Sequence, residues 1–187
     1  SIDYFKRGVD FCRIMDCPMM LVTPGKGYFD RPRQEAWERS VQALREIGEY
    51  AHSAGVRIAM EHLTQMSSNV AVTAKEAAAL VQAVGLPNVG GMVDTDMAGR
   101  IGEGVADFLS AFDNKLAHVH LVDGMPGGHL VPGDGVLHLA GQMQQLADAG
   151  YAGVITPEVM HGNYQLEPEK ALERTVRWME EVFARTE

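Results

Sequence analysis

Five short runs rich in Val, Ile and Met, each ending in polar or charged residues, alternate along the chain with longer stretches of helical periodicity. That alternation constrains the fold most, because strands joined through helices form βαβ units and a parallel sheet. The runs span Met19 to Val22, Val56 to Glu61, Val89 to Asp94, Ala117 to Val122 and Gly153 to Glu158. The clearest helix is predicted over Arg33 to Ser53, where Trp37, Val41, Leu44, Ile47 and Ala51 recur at three- and four-residue steps before Gly55 stops it. Over Thr73 to Val84, Thr73 with Glu76 three residues on reads as a capping box, closed by Gly85 and Pro87. Further helices are expected over Ile2 to Met15, Val105 to Phe112, Leu137 to Ala149 and Glu167 to Ala184. No linker, charge block or short repeat interrupts the pattern, so one domain over residues 1–187 is expected.

Composition narrows the partners. With 46% hydrophobic and 22% charged residues, the chain can bury a sizeable core. No window reaches the roughly 18 uninterrupted apolar residues of a membrane span. The opening SIDYFKRGVDF lacks the features of a signal peptide, so a cytoplasmic location is expected. A net charge of −9 argues against nucleic acid, since phosphate neutralisation needs clustered Lys and Arg; a small polar metabolite is the expected partner. Cys12 and Cys17 cannot build a disulfide framework or a thiolate metal site, and are expected to be buried small hydrophobes.

Four successive runs place a potential ligand at or near their C-terminal end: Glu61 after RIAM, Asp94 after GGMV, His120 within HVHLVD and Glu158 after VITP. In a parallel α/β barrel those ends converge on the face that carries active sites. Three carboxylates and an imidazole there suit one divalent ion such as Mn²⁺, Mg²⁺, Co²⁺ or Zn²⁺, whose charge offsets their mutual repulsion. Taken singly each signal is weak: a Glu at a strand end is more often a cap or surface group, and Asp94 with Thr95 also fits a helix cap. His118 and His120 share a face of their strand, and only one of them need bind the ion.

The stretches VTPG at 22 to 25, GVRIAMEHL at 55 to 63, VGGMVDTD at 89 to 96, HVHLVDG at 118 to 124, GHLVPGDG at 128 to 135 and YAGVITPEV at 151 to 159 resemble the xylose-isomerase-like (β/α)-barrel superfamily. That superfamily includes ketose 3-epimerases, hydroxypyruvate isomerase, inosose dehydratase and endonuclease IV. With SSNV at 67 to 70, the pattern is most similar to the fructoselysine and ketose 3-epimerase branch. The resemblance implies a TIM-type (β/α) barrel, with Glu61, Asp94, His120 and Glu158 as ligands of a single metal ion. It implies Glu61 and Glu158 as the catalytic acid/base pair, and His129, Asp123 and Asn69 as substrate-binding residues.

Two positions depart from the family pattern. Many members carry His three residues after the Asp ligand, where this chain has Met97; endonuclease IV has Asp two residues before the position of His129, where this chain has Gly127. The second departure, with the acidic balance, weighs against DNA repair. A complete barrel has eight strands in about 250 residues, so five runs in 187 residues predict a partial barrel, about five βα units of eight with parallel strands, from the C-terminal portion.

The activity expected is metal-dependent ketose epimerisation or isomerisation, by proton abstraction next to a carbonyl through a metal-stabilised enediolate. The alternatives are a metal-dependent dehydratase or isomerase of inositol-like or hydroxyketone substrates, and a non-catalytic sugar-binding remnant. Self-association into a homo-oligomer is also expected, because an open barrel exposes sheet edges.

Overall fold

The computed structural model describes residues 1–113, 115–124 and 128–185, so Gly127 lies outside the described residues. Five strands are hydrogen-bonded in the order β1-β2-β3-β4-β5: β1 (Met19–Val22), β2 (Arg57–Glu61), β3 (Val89–Asp94), β4 (His118–Leu121) and β5 (Ile155–Pro157). The pairs β1 with β2, β2 with β3 and β4 with β5 are parallel. All five fall on the runs read from the sequence, and the helices between them complete the expected βα units. The runs for β1 and β3 match their strands, those for β2, β4 and β5 overshoot by one or two residues at an end, and β5 is only three residues long, so Glu158 follows it directly. The chain packs as two compact units that part within β3, Ser1–Met92 and Val93 onward.

In the first unit, α1 (Ile2–Ile14), α2 (Arg33–Ser53) and α3 (Ala74–Val84) accompany β1, β2 and the start of β3. Ile58, Ala59 and Met60 of β2 are buried in succession, as expected of a strand covered on both faces. Helix α2 buries Leu44, Ile47 and Ala51 of the inward stripe read from its periodicity, leaves Trp37 and Val41 half-buried, and buries Ser40 and Gly48 beside them. Gly48 is required there: a Cβ would stand 2.7 Å from Val89 Cγ2 and 2.8 Å from Leu86 Cδ1. Helix α3 begins with the predicted capping box, Thr73 Oγ1 accepting from Glu76 N–H at 3.2 Å and Glu76 Oε2 accepting from Thr73 N–H at 3.2 Å. One expectation is corrected: Cys17 is exposed and Cys12 only half-buried. Both thiols sit where α1 turns into β1, and each donates to the Met19 carbonyl rather than packing in the core.

The second unit holds the end of β3, α4 (Thr95–Gly99), α5 (Val105–Ala111), β4, α6 (Leu139–Asp148), β5, a 3₁₀ turn (Gly162–Tyr164) and α7 (Pro168–Phe183). Phe108, Val119, Leu121, Val122, Leu139, Met143 and Leu146 form its core. Tyr164 and Arg174 both bond the Asp134 carboxylate, which fastens the segment after β4 to α7. The Arg174 guanidinium, against the upward push of burial and with help from Tyr164, holds the Asp134 carboxyl below its ordinary range. Among the described residues, no helix is long and apolar enough to cross a membrane.

Candidate metal centre

Asp94 ends β3 and at the same time caps α4, its Oδ1 accepting the Met97 N–H at 2.7 Å. The cap occupies one of its oxygens and leaves the other facing the cluster: Oδ2 turns toward His120 Nδ1 at 3.9 Å and His129 Nε2 at 4.0 Å. Thr95 fixes the spacing to the next strand, since its hydroxyl donates to Val122 O at 2.6 Å and accepts from Val122 N–H at 2.9 Å. His120 lies on β4 with Nδ1 3.0 Å from Glu158 Oε2. The register places His120 opposite Thr156, so Glu158 projects two residues further along on the same face. His118 stands edge-on to His120 with ring centroids 5.3 Å apart, and of the two it is His120 whose nitrogen meets the carboxylates.

Glu61 ends β2, is 6% exposed and has Met92 as its register partner on β3. One ligand atom from each of Glu61, Asp94, His120 and Glu158 lies within 4.8 Å of the others. Three carboxylates so close, two of them almost fully buried, repel one another and have given up much of their hydration. Their oxygen-rich set with one imidazole nitrogen suits a hard or borderline divalent cation, so the residues present fit such an ion.

His129 closes over the second unit's share of this cluster. Its Nε2 is 3.4 Å from Glu158 Oε2, its Nδ1 is 3.6 Å from Asp96 Oδ2, and its backbone is left-handed with φ 52°. The His129 carbonyl accepts from both Met160 N–H at 3.1 Å and His161 N–H at 3.2 Å, which fastens it to the segment after Glu158.

The other two residues implied as substrate-binding are engaged by backbone. Asp123, 1% exposed, accepts from the N–H groups of Gly124 at 2.9 Å, Leu137 at 3.0 Å and Gly133 at 2.8 Å, and pairs with Leu130 through an isolated bridge. Asn69 accepts the Gly27 N–H at 2.8 Å and so ties the segment after β1 to the one after β2.

Sequence reasoning passed over Asp96. It is 1% exposed, and its Oδ2 accepts from Arg100 Nε at 2.9 Å. The one available signal was its four-residue spacing to Arg100, which marks ordinary ion pairs on helix surfaces equally well.

The sequence profile of the xylose isomerase-like TIM barrel family matches residues 1–182. Fructoselysine 3-epimerase of Shigella flexneri is 31% identical over 180 residues, covering 93% of this chain and 65% of that protein. This chain therefore spans under two thirds of that relative's length. Among solved structures, L-ribulose 3-epimerase superposes with a TM-score of 0.84 at 19% identity, over 99% of this chain and 67% of that one. A protein crystallised with a bound zinc atom superposes with a TM-score of 0.81 at 22% identity, over 100% of this chain and 70% of that one.

Proposed function

Because the chain belongs to the xylose isomerase-like TIM barrel family, we propose that it is a metal-dependent ketose epimerase or isomerase whose metal ligands are Glu61, Asp94, His120 and Glu158. The carrying observation is the meeting of these four groups at the ends of strands remote in sequence. Fructoselysine 3-epimerase among the relatives supports a ketose as substrate, and the structure with bound zinc supports a divalent ion.

Bound there, a divalent cation would act as Lewis acid and template for the ketose carbonyl and a neighbouring hydroxyl. Glu61 and Glu158 are the acid/base pair. One takes the proton from the carbon next to the carbonyl, and the other returns a proton to the opposite face, which inverts that centre. Return to the adjacent carbon instead gives isomerisation. His129 binds substrate from above. Asp123 and Asn69 serve the substrate site through the segments they hold. Exposed Tyr4, Phe11 and Ile14 on α1 supply apolar surface for self-association, so sedimentation of the purified chain is expected to show a species heavier than one copy.

Solvent deuterium uptake into a panel of ketoses, followed by proton NMR, tests the reaction directly. Uptake is expected with the Mn²⁺- or Co²⁺-loaded protein and is expected to vanish in Glu158→Gln with the fold retained. Undiminished uptake by that variant refutes the acid/base assignment.

A further inference from the structure

His129 is placed with unusual care for a residue in a loop. Its left-handed backbone is disfavoured for a side chain with a Cβ. Two N–H groups hold its carbonyl, and Leu130 next to it is bridged in both directions to Asp123. Beside His129 lies buried Asp96, paired with the exposed Arg100, and two glycines lie against that pair. A Cβ on Gly124 would stand 2.0 Å from Asp96 Oδ1, and one on Gly128 would stand 1.9 Å from an Arg100 guanidinium nitrogen and 2.6 Å from Asp96 Oδ2. Asp96 Oδ1 has no hydrogen-bond partner among the described residues although it is buried. The oxygen that faces His129 is the other one, Oδ2, which accepts from Arg100 Nε and stands 3.6 Å from His129 Nδ1, so a small turn of the ring or of this carboxylate brings Nδ1–H to an acceptor with capacity to spare.

Three carboxylates compete for the imidazole protons: Asp96 at Nδ1, and Asp94 and Glu158 at Nε2. On the proposed reading of the metal centre, on which this step rests, the lone pairs of Asp94 and Glu158 are committed to the cation. Asp96 is then the carboxylate left to accept from the neutral ring. We propose that Asp96 is a positioning residue that holds His129 as the Nδ1–H tautomer, so that Nε2 presents a lone pair to a hydroxyl of the bound sugar. This assigns His129 the recognition of a hydroxyl donor rather than of the carbonyl oxygen. A ring that accepts at Nε2 has no proton there with which to polarise a carbonyl.

The test uses the full chain labelled with ¹⁵N-histidine and loaded with Zn²⁺, at a pH where the neutral ring prevails, with the His129 signals identified by their loss in His129→Gln. The expected pattern is a single Nδ1–H tautomer in the wild type. In the near-isosteric Asp96→Asn, loss of the charged acceptor is expected to abolish that single-tautomer pattern, while the zinc stoichiometry of one and the far-ultraviolet circular dichroism stay unchanged. Zinc bound with the proton on Nε2, or a tautomer pattern identical in Asp96→Asn, overturns the assignment and leaves the metal reading standing. Failure of the wild type to bind zinc at all overturns the metal reading, and this assignment with it.

Discussion

Asp123 shows how much one side chain can do for the backbone around it. Its two oxygens satisfy three backbone N–H groups spread from Gly124 to Leu137, and its own backbone closes the bridge to Leu130. Asp123→Ala would strand those buried donors, each at a penalty of about 1–3 kcal/mol where water cannot reach it. Urea unfolding of that variant is expected to show a midpoint well below the wild type. Unchanged stability would mean the loop does not depend on this carboxylate. Single residues also mark the limit of reading the sequence. Glu61, Asp94, His120 and Glu158 stood out because strand ends in a parallel sheet share a face. Asp96 did not, because what distinguishes it from a surface ion pair is its burial against Gly124 and Gly128, 28 and 32 residues further along the chain.

At the scale of elements, legibility follows length. Helix α2 and helix α3 repeat their apolar period over several turns, and α3 carries its capping box in the letters themselves. The five-residue α4 and the single 3₁₀ turn after Glu158 are too short for any period to register, so they went unread. The cap of α3 also carries a pH dependence. Burial raises the Glu76 pKa, but the N–H groups of Val72 and Thr73 and the Arg33 guanidinium outweigh it and hold the carboxyl below its ordinary range. The folded-state pKa is depressed, so this stabilisation is fully present above roughly pH 4.3 and is lost as pH falls through the lower folded value. The stability difference between wild type and Glu76→Gln is expected to shrink on acidification from pH 7 to pH 3. A difference that stays constant would contradict the assigned shift.

At the scale of the molecule, a net charge of −9 and a cluster of three carboxylates with one imidazole point the same way, toward a chain whose charge balance favours a bound cation. An ion that binds only the folded state raises stability by mass action, by about 2.7 kcal/mol when free ion exceeds the dissociation constant a hundredfold. Chelation by EDTA is therefore expected to lower the melting temperature, and Zn²⁺ or Mn²⁺ to restore it. A melting temperature indifferent to both treatments would leave the acidic cluster without its proposed occupant. The βα alternation was legible throughout. The parting of the chain into two compact units within β3 was not, because it depends on how helices pack and not on the period of any one segment.

The left-handed backbone at His129 sets fitness for folding against fitness for chemistry. A side chain held in that region costs on the order of 1–3 kcal/mol that glycine would not incur. His129→Gly is accordingly expected to melt at a higher temperature than the parent, and a lower melting point would show that the imidazole contributes more than its backbone costs. Any campaign that bred this chain for heat tolerance alone would tend to pick that exchange early, and would harvest sturdier molecules without the imidazole proposed to grip their sugar.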